Sequence, residues 1–169
     1  MVSNLAAEEA ESLAVREFVS LFHGTSSEFA AAIRNEGIDL ARLRLNTDFG
    51  RGFYLSESRE VAENAARRLY GDAIEVLEYR IPADELEQLS HLHFGSADAA
   101  WEDFVRFHRT FEPSPTGLAH GGELYDMVSG PMFRRFGSDG AVRAWDATMT
   151  QVSIHTDRAI QLFNRWLLP

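Results

Sequence analysis

Strand-like apolar runs and segments of helical spacing alternate along the whole chain, and this alternation is the feature that most restricts the fold. Residues 18–22, Phe-Val-Ser-Leu-Phe, predict a strand, and residues 29–33 place apolar side chains at helical spacing. Ser58 is placed to cap another helix, and residues 157–167 repeat the helical pattern at the C-terminal end. The alternation predicts a mixed α+β fold.

The remaining segments complete this prediction. Further strands are expected at 53–56, 73–81, 89–94, 124–128 and 151–155, a helix at 100–108 and an exposed loop at 112–122. An acidic amphipathic helix at 5–16 lies apart from these segments. We therefore expect an N-terminal helical extension, residues 1–17, followed by one domain, residues 18–169.

The composition excludes several chemistries. All 16 basic residues are arginine, and the chain has neither lysine nor cysteine. A Walker A loop, a Schiff-base lysine, a thiol nucleophile and a thiolate zinc site are therefore ruled out. The net charge of −10 argues against nonspecific nucleic-acid binding. No apolar run is long enough for a membrane span and the N-terminal segment is acidic, so we expect a cytoplasmic protein with no membrane contact.

Most of the histidines favour structural roles. His91 and His93 could project from one strand face, but no third ligand follows at a recognisable spacing, so no metal site is predicted. His120 precedes two glycines, as in an oxyanion loop, yet the chain has no G-x-S-x-G nucleophile elbow. His108 and His155 fit a core edge and a strand end.

His23 stands in a different setting. It ends a strand and precedes Gly24, Thr25 and Ser26. A strand that opens into a glycine turn exposes backbone N–H groups, and the imidazole and hydroxyls add directional hydrogen bonds. This cluster suits the hydroxyls and amide of a nucleotide cofactor, although a turn histidine bound to its own backbone is the alternative.

A second cluster is residues 48–56, Asp-Phe-Gly-Arg-Gly-Phe-Tyr-Leu-Ser. Gly50 and Gly52 allow a close backbone approach, and the Tyr54 ring could stack on a heteroaromatic group. The pattern lacks the third glycine and the following helix of the dinucleotide fingerprint. A structural alternative makes Phe53 and Tyr54 the two sides of a buried strand.

The two clusters together resemble the His and Tyr motifs of the diphtheria-toxin/PARP-like ADP-ribosyltransferases, and are most similar to the bacterial DUF3990 family. The resemblance continues through Trp-Glu-Asp-Phe-Val at 101–105, Arg109, residues 125–131 and Gln-Val-Ser-Ile-His-Thr at 151–156. It implies a split β-sheet core with flanking helices. It also implies an NAD-dependent mono-ADP-ribosyltransferase, a glycosyltransferase that uses NAD as ADP-ribose donor and needs no metal.

The resemblance assigns roles to individual residues. His23 would bind the adenosine ribose, the Gly24 backbone would bind the nicotinamide amide, and Tyr54 would stack on the nicotinamide ring. The implied catalytic residues are His23, Tyr54 and Gln151. The implied cofactor-binding residues are His23, Gly24, Thr25, Ser26, Phe49, Gly50, Gly52, Tyr54 and Ser56.

Gln151 departs from the family pattern, which places a glutamate at this position to bind the nicotinamide ribose. An amide accepts the same hydrogen bond but brings no negative charge to a forming oxocarbenium ion. Asp48, Glu123 and Asp126 are the acidic residues that could supply the charge instead.

Three functions follow as hypotheses. The first is a toxin that modifies an intracellular macromolecule, protein rather than nucleic acid, and is neutralised by an antitoxin or immunity protein. The second, favoured by Gln151, is a module that binds NAD or ADP-ribose with little or no turnover. The third is an enzyme like the RNA 2′-phosphotransferases, which the net charge of −10 disfavours.

Overall fold

The computed structural model describes residues 16–111, 125–146 and 148–169. The predicted loop at 112–122 lies outside these ranges, as does the predicted N-terminal extension apart from its last two residues. The rest of the chain forms the mixed α+β fold expected from the alternation.

Helices and strands alternate through the first two thirds of the described chain. The helices are α1 (Ser27–Glu36), α2 (Arg59–Tyr70), α3 (Ala83–Leu86), α4 (Ala99–Thr110) and α5 (Asp157–Arg165), with a 3-10 turn at Leu40–Arg42. The strands are β1 (Phe18–Ser26), β2 (Phe53–Leu55), β3 (Ile74–Pro82), β4 (His91–His93), β5 (Met127–Pro131), β6 (Phe133–Phe136), β7 (Val142–Ala144) and β8 (Thr150–Ile154). Among the described residues, no helix is both long and apolar enough to span a membrane.

Polar side chains fix where two of the helices begin, and the cap predicted at Ser58 is confirmed. Ser58 accepts a hydrogen bond from the Val61 N–H at 3.3 Å and so caps α2. Ser26 caps α1 in the same way, through the Phe29 N–H at 3.1 Å. Such caps satisfy backbone donors that have no partner within the helix and each contribute about 1 kcal/mol.

The strands form three sheets. β1 pairs with β3 in an antiparallel ribbon, and the order of the four-stranded sheet is β2-β8-β5-β4. Within that sheet only the β4–β5 pair is parallel. β6 and β7 form a separate hairpin. The ribbon meets the four-stranded sheet where Phe22 and Ser56 exchange two backbone hydrogen bonds of 2.8 Å each.

Two apolar clusters hold these sheets. The first packs β1, β3 and α5 around fully buried residues such as Tyr79 and Phe163. The second is mainly aromatic and packs α4, through Trp101 and Phe104, against Phe49. Each such side chain contributes about 2–3 kcal/mol on burial. β2 lies between the clusters, because Phe53 belongs to the first and Tyr54 packs against the second.

The sequence misplaced one strand and missed two. The strand expected at 124–128 is β5, Met127–Pro131. β6 and β7 were not predicted, because the Phe-Arg-Arg-Phe run of β6 has no strand alternation. A register shift between Phe133 and Arg135 explains the missing alternation, since a bulge breaks the period of two.

Candidate functional site

A cavity of about 560 Å³ opens between strand β1, helices α1 and α2 and the end of the four-stranded sheet. Several residues predicted to bind a cofactor line it together, although they come from segments far apart in the sequence. They are His23, Gly24, Thr25, Gly52, Tyr54, Ser56 and Gln151. Ser26, Phe49 and Gly50 are not among the lining residues.

His23 is held as a neutral imidazole. Its Nδ1 donates a hydrogen bond to the Tyr54 carbonyl oxygen at 2.6 Å, and its ring stacks on Phe53 with the ring centres 4.0 Å apart. Burial lowers the pKa of His23 to about 4, against the smaller opposing effect of the Tyr54 hydrogen bond. Because the proton sits on Nδ1, Nε2 remains as a hydrogen-bond acceptor at neutral pH.

Gly24 lets helix α2 pack directly on strand β1. A Cβ atom at this position would lie 2.0 Å from the Ala62 carbonyl oxygen and 2.9 Å from the Ala66 Cβ. Only glycine fits such an approach. Its neighbour Ser26 is used as the cap of α1 instead of facing the cavity.

The Tyr54 hydroxyl organises the loop that precedes its strand. It accepts a hydrogen bond from the Phe49 N–H at 2.8 Å and lies 2.9 Å from the Gly50 carbonyl and 3.0 Å from the Thr47 hydroxyl. Burial raises the pKa of the Tyr54 phenol, which stays neutral and can donate. Phe49 and Gly50 thus serve the placement of Tyr54, and the Phe49 side chain lies in the aromatic cluster.

Gln151 belongs to a network centred on Asp48. Its Nε2 donates to Asp48 Oδ2 at 2.5 Å, and the Arg109 guanidinium donates to Oδ1 from Nε at 2.7 Å and Nη2 at 2.5 Å. The Phe133 N–H also donates to Oδ2, at 2.9 Å, and the Arg109 guanidinium lies 3.8 Å from the Phe133 ring centre. With Nε2 committed to Asp48, the Gln151 Oε1 is the acceptor available to the cavity.

Of the three candidate acids, the structure describes Asp48 and Asp126 and places them apart. Asp48 lines the cavity and contacts Gln151. Asp126 is not a lining residue, and it accepts hydrogen bonds from the Ser90 N–H at 2.9 Å and the Thr156 hydroxyl at 2.5 Å. Glu123 lies outside the described residues.

Arg109 is a site residue that the site prediction did not include. It lines the cavity and pairs with Asp48 across 61 positions of sequence, and Gln151 is 103 positions from Asp48. No local spacing signals pairs this distant. The family resemblance includes Arg109 but implies no role for it, and Asp48 stands beside the Phe-Gly of the 48–56 cluster.

The other described histidines lie elsewhere. His91 Nε2 and His93 Nδ1 each lie 2.7 Å from the Ser129 hydroxyl, and His155 lies between the Arg51 carbonyl and the Ser153 hydroxyl. His120 falls outside the described residues. Within the described ranges, no three His, Cys, Asp or Glu side chains are grouped to hold a metal ion.

Comparison with known proteins identifies the family. The family model for DUF3990, described as proteins of unknown function, matches residues 19–134, more than half of the chain. The chain belongs to this family. A comparison with curated proteins finds no match.

Proposed function

With membership of DUF3990 as the premise, we propose that this chain is an NAD-dependent mono-ADP-ribosyltransferase. The observation that carries the proposal is that one cavity brings together His23, Gly24, Tyr54 and Gln151. The two sheets that meet at Phe22 and Ser56 support the split-sheet core implied by the resemblance. The proposal extends to a bacterial toxin that modifies an intracellular protein and is held in check by a neutralising partner.

The chemistry of the cavity walls fits such a donor. A neutral imidazole with a free Nε2 accepts a hydrogen bond from a ribose hydroxyl, and the Tyr54 ring offers a flat surface to an aromatic ring. The cavity volume of about 560 Å³ lies within the range of small-molecule sites. Because the nicotinamide ring is cationic, its glycosidic bond is prone to dissociate, and the protein mainly has to position the donor and acceptor.

Asp48 is the residue we propose as the source of the missing negative charge. Asp48 accepts the hydrogen bond from Gln151 Nε2, which leaves Oε1 to accept a hydrogen bond from the ribose hydroxyl. The Asp48 carboxylate is then separated from the ribose by the Gln151 amide alone. Arg109 fixes this carboxylate from the other side. Asp48 thus acts as a positioning residue and as a source of negative potential near the reacting sugar.

A second candidate, a module that binds NAD or ADP-ribose without turnover, is favoured by one observation. The side chain that lines the cavity at position 151 ends in an uncharged amide, and Asp48 is partly neutralised by Arg109. Charge-assisted hydrogen bonds are about twice as strong as neutral ones, so this arrangement supports binding more than cleavage.

Nicotinamide release and NAD binding separate the two candidates. In the transferase, Gln151→Ala should lower nicotinamide release about tenfold, which corresponds to about 1.4 kcal/mol in the transition state. Gln151→Glu alone sets two carboxylates against each other where the amide now lies 2.5 Å from Asp48, so one of them takes up a proton. Asp48→Asn combined with Gln151→Glu keeps one amide and one charge, and should release nicotinamide faster than the parent.

Each other result has a definite meaning. NAD binding by calorimetry with no nicotinamide release from any form, the exchanged pair included, identifies the binding module. Equal release from the parent and every variant removes Gln151 from the site. Absence of NAD binding by the parent refutes both candidates.

A further inference from the structure

The arginines of this acidic chain differ in whether they have an acidic partner. In the described part of the chain, nine arginines pair with a carboxylate within 4.0 Å, and two of these nine, Arg42 and Arg109, line the cavity. Those with no carboxylate partner in the described part of the chain are Arg44, Arg51, Arg68, Arg80, Arg134, Arg135 and Arg165. Among them, Arg44 lines the cavity and Arg51, Arg68 and Arg134 are next in sequence to lining residues, whereas Arg80, Arg135 and Arg165 are neither.

Two of these arginines lie over one tryptophan. The Arg68 guanidinium of α2 lies 5.3 Å from the Trp145 ring centre, and that of Arg134 on β6 lies 4.9 Å from it. Arg135 follows on the same hairpin. We call these four residues the Arg–Trp surface. It adjoins the cavity on two sides, because Leu69 follows Arg68, Phe133 precedes Arg134, and both Leu69 and Phe133 line the cavity.

Exposed apolar side chains lie at the same opening. Phe29 and Leu69 line the cavity with 50% and 61% of their surface exposed, and Leu45, also 50% exposed, follows the free Arg44. Arginine, aromatic and large apolar residues are typical of the centres of protein–protein interfaces. Apolar side chains next to unpaired guanidinium groups match a segment that carries both carboxylates and apolar residues.

From this surface, and resting on the proposed transferase function, we infer that the acceptor is a protein that docks through an acidic segment with apolar side chains. Two observations favour a protein over a nucleic acid. The net charge of −10 repels a polyanion at long range, while carboxylates can still pair locally with Arg134 and Arg135. The aromatic rings at this opening already have partners, since Arg68 and Arg134 lie over Trp145 and Phe29 contacts Tyr70 edge to face. A nucleic-acid base would have to displace one of these partners before it could stack.

The test is a binding measurement with defined probes. Fluorescence anisotropy would follow a short labelled peptide of glutamate and leucine, its counterpart with lysine for glutamate, and single-stranded DNA and RNA of similar length. We expect the parent to bind the acidic peptide, more weakly as salt rises. The double variant Arg134→Glu, Arg135→Glu should bind it at least tenfold more weakly, and Arg134→Gln, Arg135→Gln should be intermediate.

Arg165→Glu is the matched control, since Arg165 is exposed, has no carboxylate partner and does not line the cavity. It should bind the acidic peptide as the parent does. The inference is overturned if the acidic peptide does not bind, if the lysine peptide or a nucleic acid binds as well as it does, or if charge reversal has no more effect than the control. NAD binding, measured on the same samples, should be unchanged by the double variant. Its absence from the parent would refute the proposed function separately.

Discussion

The two walls of the cavity are built on different principles. The strand wall, His23 to Thr25 of β1, is placed by the backbone pairing of β1 with β3 and by the close approach of α2 at Gly24. The network wall, Asp48, Arg109 and Gln151, is placed by side-chain contacts between three separate segments. The first wall should therefore be sensitive to added volume and the second to lost charge.

The largest expected effect is at Gly24. Gly24→Ala drives a methyl group to 2.0 Å from the Ala62 carbonyl oxygen, so α2 must move away from β1. We expect a loss of about 3 kcal/mol in the free energy of unfolding, measured by urea denaturation. Gly95→Ala is the control, because its Cβ would meet nothing closer than His93 Nε2 at 4.0 Å, and it should change stability by less than about 0.5 kcal/mol. Equal losses in the two variants would contradict the account of the strand wall.

The next effect is at Asp48, which is 6% exposed. Asp48→Ala leaves Arg109, Gln151 Nε2 and the Phe133 N–H without their shared acceptor and should cost about 2 kcal/mol. Asp48→Asn should recover part of this stability, because it keeps an acceptor oxygen.

The matched control for this second effect is Asp72→Ala. Asp72 pairs with Arg67 from a fully exposed position, so its removal should leave the urea midpoint unchanged. If Asp48→Ala changes the urea midpoint as little as this control does, the account of the network wall is wrong.

The smallest effect, taken over one pH unit, concerns the pH dependence of stability and the strand wall. The pKa of His23 in the fold is about 4, below its ordinary 6.5, so the unfolded chain binds more protons between these values. Stability due to neutral His23 is therefore complete above about pH 6.5 and declines towards pH 4, by at most about 1.4 kcal/mol per pH unit. Because the pKa values of His91 and His155 are also lowered, the parent must be compared with His23→Gln.

The titration of the His23 imidazole can be followed directly by NMR. The His23 ring should titrate with a midpoint near pH 4, and the loss of stability between pH 7 and pH 5 should be smaller in His23→Gln than in the parent. A His23 midpoint at 6 or above would show that the strand wall does not bury this imidazole.

The two walls also differ in how far the sequence could predict them. His23, Gly24 and Tyr54 were found from local signals, and the structure places them on β1 and β2. The predicted strand end at His23 and the glycine turn after it are wrong, because β1 continues to Ser26 and Gly24 pairs with Val76 of β3. The Asp48–Arg109 and Asp48–Gln151 contacts depend on tertiary folding, which brings α4 and β8 to one loop. Local patterns carry no information about such pairs.

The same reasoning explains the missed hairpin. Phe133 and Phe136 are separated by two arginines, so their spacing of three positions breaks the alternation of a strand and is typical of a helix face instead. The arginine over each ring, Arg109 on Phe133 and Arg106 on Phe136, supplies cover that apolar neighbours normally provide. When arginines instead of apolar residues cover the rings of a strand, the sequence shows little of the alternation by which a strand is recognised.

The meeting point of the two sheets has a consequence for how such a protein can evolve. The hydrogen bonds between Phe22 and Ser56 join main-chain atoms, and every amino acid except proline carries both the donor and the acceptor. Substitutions at these two positions thus leave the joint available while they change the chemistry displayed beside it. Related proteins can therefore differ in the residues that line the cavity, and so bind different ligands, while they keep the same backbone joint between the two sheets.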